Sequence, residues 1–152
     1  MSDKHAKRAQ RLQRIARIGD ALAKAAEAVV SQRRGELAAH EQRLAVVEEY
    51  CRDYASSTRE QEAAPTSIVT WRQYREFSGW LSDMSVTQRN EVAQAKFMVD
   101  SAFEEALKKR NFARALENAS DRAAAVATRE ANAQEQRAMD ALGRAIGDRL
   151  AS

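Results

Sequence analysis

At 152 residues and a formal net charge of +3, the chain fits one domain. Its composition, 44% hydrophobic with much of that alanine, 6% aromatic and 31% charged, excludes a large globular core and points to long helices or coiled coil. The single Cys51 excludes an internal disulfide framework and suits a reducing compartment, and no apolar run approaches the roughly 18 residues of a membrane span.

Charge is unevenly spread. Residues 1–35 carry nine Lys/Arg against Asp3, Asp20 and Glu27, whereas residues 36–65 carry seven acids against three arginines. The opening Met1–Arg8 lacks the apolar core of a secretory signal. It is Arg-rich and acid-poor in the manner of a mitochondrial presequence, yet its helical pattern runs on past Leu22 without a processing boundary.

The first predicted helix spans about residues 4–60. Its seam is traced through Ile15, Ile18, Leu22, Ala26, Val29, Arg33, Leu37, His40, Leu44, Val47, Cys51 and Tyr54, in steps of three and four. Consecutive steps of four near 18–26 and 29–37 act like stutters that relax the supercoil. Ser56-Ser57-Thr58 and the only proline, Pro65, place a turn at about 61–67.

The second predicted helix spans about 68–149, with Thr70 and Gln73 as a capping box and Val69 and Tyr74 as a staple. Its seam runs through Val92, Ala95, Val99, Phe103, Ala106, Ala113, Leu116, Ala123 and Val126. A last apolar patch, Met139, Leu142, Ile146 and Leu150, overhangs the shorter first helix by roughly 35 Å at 1.5 Å per residue. The fold class expected is all-α: one domain over 1–152, two long helices in an antiparallel coiled-coil hairpin.

Traced backward from Val92, the second seam meets Gln88, Ser85, Leu81 and Ser78, mostly polar, while Phe77, Leu81 and Met84 form a neighbouring apolar stripe reaching Gln88. An apolar surface displaced from the seam reads as an exposed docking face. Ser85-Val-Thr-Gln88 is a competing capping pattern that would start a separate helix; the continuous helix is preferred. Both tryptophans and all three tyrosines lie between 50 and 80, and antiparallel pairing brings Tyr50, Tyr54, Trp71 and Tyr74 together to clamp the tip.

Nothing in the sequence supports an enzyme or a cofactor. His5 and His40 are far apart, Cys51 reads as a small seam hydrophobe, and no second cysteine completes a metal set. Gly-rich phosphate loops and the GxSxG pattern are missing, and Gly143-Arg-Ala-Ile-Gly147 sits in charged surroundings that a membrane dimer motif would not have. The basic run Lys4, Lys7, Arg8, Arg11, Arg14 and Arg17 admits three readings: a solvated face, an electrostatic surface for nucleic acid or anionic lipid, or a contact with an acidic protein ring. Lys108, Lys109, Arg110 and Arg114, brought roughly opposite residues 15–20, add weight to the third.

Tyr50-Cys-Arg-Asp-Tyr54, then a Ser/Thr-rich loop, then Trp71-Arg-Gln-Tyr74-Arg-Glu-Phe77 and Leu81, resembles the flagellar type III export protein family FliJ over about 44–88. The injectisome stalk proteins of the YscO type are the runner-up. The resemblance implies a stalk similar to that of rotary ATPases, at the cytoplasmic face of the inner membrane and associated with it only indirectly. Its implied partners are a hexameric FliI-like export ATPase, a FlhA-like export-gate protein and export chaperones, with no nucleic acid. Carried over by position, Phe77, Leu81, Met84 and Gln88 would touch the gate. The ATPase ring would meet Arg8, Arg11, Arg14, Arg17, Lys108, Lys109 and Arg110. Met84 and Gln88 depart from the family's small residue and histidine.

Overall fold

Helices form here because alanine and straight-chain residues dominate and the sequence holds only five glycines and one proline. A computed structural model describes residues 2–63 and 67–152, apart from the side chains of 61–63. Helix α1 runs Ser2–Ala63 and α2 runs Ile68–Ala151, with no strand among the described residues. The fold class is the one expected, all-α with two long helices packed against each other. Residues 64–66 of the expected turn, Pro65 among them, lie outside the described residues.

The cap of α2 falls earlier than expected. The Thr70 amide donates to Ser67 Oγ at 3.3 Å, the two hydroxyls lie 2.7 Å apart, and the Trp71 amide donates to the Ser67 carbonyl at 3.1 Å. An N-cap must be the last residue before helical geometry begins, and with Ile68 already helical Thr70 sits inside the first turn. Nothing restarts the helix near Ser85, which is buried within α2.

The chain forms two compact units, each built from a stretch of both helices: Met1–Ala26 with Ala106–Ser152, and Glu27–Glu105. In the first, the covered stripe of α1 is Ala9, Leu12, Ala16, Gly19, Ala23 and Ala26, and that of α2 is Ala106, Lys109, Ala113, Leu116, Ser120, Ala123 and Ala127. The helices run antiparallel, Leu12 lying beside Ala119 and Ala123 and Gly19 beside Ala113. A Cβ on Gly19 would stand 2.8 Å from Leu116 Cδ1 and 3.6 Å from Ala113 Cα. At Gly19 the two helices therefore approach closely enough that any side chain there would press on Leu116.

That closeness overturns the expected N-terminal seam. Ile15, Ile18 and Leu22 are 45%, 61% and 51% exposed, and Val126 on α2 is likewise exposed. Covered residues along α1 alternate threes and fours from Ala9 to Tyr54, so the expected stutters do not occur. From residue 134 to the end every side chain of α2 is exposed, including Met139, Leu142, Ile146 and Leu150.

In the second unit the seam is that of the sequence reading from Arg33 to Tyr54, with Val30 in place of the exposed Val29 and Ala102 in place of the exposed Phe103. Across it lie Tyr74, Leu81, Ser85, Gln88, Val92, Ala95 and Val99. Antiparallel order is set by three contacts. Cys51 Sγ donates to the Leu81 carbonyl at 3.6 Å, Arg89 Nε lies 3.5 Å from Glu48, and His40 Nδ1 lies 3.5 Å from Glu91.

Candidate docking site

The aromatic cluster in the second unit is organised around Tyr54. Its ring lies 5.3 Å from that of Tyr74 and 4.5 Å from that of Phe77, and Phe77 reaches Trp80 at 5.5 Å. Tyr54 and Tyr74 come together as expected, whereas Tyr50 is 59% exposed and Trp71, also exposed, lies against Arg75, whose guanidinium carbon is 5.0 Å from the ring centroid. Three aromatic rings, Tyr54, Phe77 and Trp80, thus make a continuous surface that passes from the seam to the outside.

The four expected gate residues divide. Phe77 and Met84 precede the seam residues Ser78 and Ser85 by one, and they are exposed. Leu81 is only 5% exposed and belongs to the seam, a correction to its reading as an outward residue. The cause is register: Leu81 continues the polar series Ser78, Ser85 and Gln88, so it points at α1 while Phe77 and Met84 flank it. Gln88 is half-buried, and its Oε1 is covered without a hydrogen-bond partner. Met84 and Gln88 line a groove of about 440 Å³ with Ala39, Arg43, Val46 and Val47 of α1. Sequence reasoning missed the α1 wall of this groove. The available signal was Ala39, Val46 and Tyr50, spaced by seven and four one step off the seam.

In the first unit the basic residues also divide. Arg8 and Arg11 line apolar cavities with Leu12 on one side of the helix pair. Arg17 lines a polar cavity on the other side with Asp20, Arg110, Glu117 and Asp121. Arg110 Nη1 donates to Asp20 at 2.8 Å, and Lys24 reaches the same carboxylate at 3.0 Å. The Arg110 hydrogen bond, then that of Lys24, holds the Asp20 carboxyl below its ordinary value. Lys109 is half-covered on the α2 stripe, while Lys108 and Arg14 are exposed. Arg110 is thus spent within the chain, and the structure does not gather the seven cations on one surface.

Among the described residues no group of three or more His, Cys, Asp or Glu side chains is placed to hold a metal ion. No described helix is long and apolar enough to cross a membrane. The geometry offers grooves and apolar edges. The sequence model of the flagellar FliJ protein family matches residues 8–145. No curated protein and no solved structure matches the chain.

Proposed function

The chain belongs to the flagellar FliJ family, non-enzymatic components of the flagellar protein export apparatus, and from that premise we propose that it couples the export ATPase to the membrane export gate. The gate would be engaged by Phe77 and Met84, with Leu81 and Gln88 supporting that surface from the seam. The hexameric ATPase would be met by the unit Met1–Ala26 with Ala106–Ser152 through Arg8, Arg11, Arg14, Arg17 and Lys108. Export chaperones are further candidate partners. A place on the cytoplasmic side of the membrane, through the gate alone, belongs to the same reading.

The observation that carries this reading is the outward turn of Phe77, Trp80 and Met84, 40%, 54% and 37% exposed beside a nearly buried Leu81. Large apolar side chains left outside an available seam are a surface for a partner. Phe77→Asp with Met84→Asp should abolish binding to the soluble domain of the gate protein while circular dichroism shows the helix content intact. Binding that survives this pair removes the docking surface from the proposal. Stimulation of the purified export ATPase by the chain tests the other end.

A further inference from the structure

The first unit carries a second groove whose chemistry is complete enough to name an occupant. Leu12, Ala119, Ala123 and Val126 line a cavity of about 320 Å³ between the helices, bordered by Arg8 and Arg122. Along α1 it adjoins a cavity of about 710 Å³ that reaches Arg11 and Ile15. No carboxylate lines either one. The acids Asp20, Glu117 and Asp121 line the opposite side of the helix pair.

The apolar residues of this side are periodic. Ile15 and Leu22 each precede a covered residue of α1, Ala16 and Ala23. Phe112, Ala119 and Val126 each precede a residue of the α2 stripe, Ala113, Ser120 and Ala127. Side chains repeating every seven residues on both walls make a row of holes matched to the knobs of a third helix. A lipid surface would need neither the concave floor nor the heptad spacing. The basic rim selects the charge of the incoming helix.

We infer that this groove binds an amphipathic helix of another protein that presents an apolar heptad stripe flanked by Asp or Glu. The inference rests on the groove itself and not on the coupling role proposed above. A partner helix laid there would place its aliphatic stripe on Leu12, Ile15, Phe112 and Val126, and its carboxylates against Arg8, Arg11 and Arg122.

The test uses the full chain and a labelled synthetic peptide of three heptads, leucine at the seam positions and glutamate beside them. A twin with lysine in place of glutamate and vesicles of phosphatidylglycerol complete the set. By fluorescence anisotropy the glutamate peptide should saturate and the lysine twin should not. Arg11→Glu with Arg122→Glu should weaken the glutamate peptide by roughly tenfold or more. Ile15→Asp with Phe112→Asp should remove binding with the melting curve unchanged, since these side chains are 45% and 62% exposed. Glu117→Arg, on the opposite side, should leave it as it was. Equal binding of both peptides, binding of neither, or capture by the vesicles in place of the peptide would each overturn the inference. A chain that binds the glutamate peptide yet fails to stimulate the export ATPase refutes the coupling role and leaves the groove standing.

Discussion

Replacing Leu81 by alanine separates the seam from the docking surface. Leu81 is 5% exposed, and truncating a buried leucine costs roughly 2–5 kcal/mol through lost transfer energy and the cavity left behind. The seam here is one side chain deep, and neighbours such as Cys51 can relax into the gap, which sets the expected loss near ~2–3 kcal/mol. Trp80→Ala removes a larger side chain that is 54% exposed and touches Phe77 at 5.5 Å, and it should cost less than about 1 kcal/mol. Urea unfolding followed by circular dichroism at constant slope measures both. If Trp80→Ala proves the costlier change, or Leu81→Ala costs under about 1 kcal/mol, the seam assignment fails. The same arithmetic disqualifies Leu81→Asp as a binding probe, because an unpaired charge in the seam would part the helices by itself.

Four further outcomes follow from other positions. Gly19→Leu should lose roughly 1–3 kcal/mol by overpacking against Leu116, whereas Gly35→Ala, with nothing near its Cβ, should gain up to about 1 kcal/mol of helix propensity; thermal melts decide. Because Arg110 and Lys24 depress the Asp20 pKa below 3.8, its contribution is full above the unfolded value and fades as pH falls through the folded one. Asp20→Asn and the parent chain should thus differ in stability at neutral pH and converge in strong acid; a constant gap across that range would exclude the pair. Ending the chain after residue 133 should shift the unfolding free energy by less than about 0.5 kcal/mol, since every side chain beyond it is exposed.

The two helices were legible because apolar residues recur in threes and fours along both of them. The seam of the second unit was legible as well, since Leu37 and Leu44, its two leucines on α1, fix the register at a spacing of seven. In the first unit bulk points instead to Ile15, Ile18 and Leu22, which are exposed. The true stripe, Ala16, Gly19 and Ala23, is readable only once the helices are known to touch. Leu81 was misread for a related reason: Phe77, Leu81 and Met84 satisfy helical spacing as a stripe, yet the register carried back through Gln88 and Ser85 already put Leu81 against α1. The partition of the cations was not legible at all. Arg8 and Arg17 are nine residues apart, but only packing against α2 shows that one borders an apolar cavity and the other an ion pair.

Alanine and glycine through most of the seam, with isoleucine and phenylalanine outside it, is an inversion of ordinary helix-pair design. A fully buried leucine or isoleucine contributes roughly 1.5–3 kcal/mol, far more than the alanines that occupy the seam of the first unit. The chain therefore gives up self-stabilisation where Ile15, Ile18, Leu22 and Phe112 stand in water. That apolar area remains available to a ligand that binds the folded pair and not the unfolded chain, and such a ligand raises stability in proportion to its concentration over its dissociation constant. Stability of the first unit is thus tied to occupancy. The melting temperature of the full chain should rise with added glutamate-flanked peptide and stay fixed with the lysine twin. The Ile15→Asp with Phe112→Asp chain should show no rise with either, because the surface that converts binding into stability has been removed.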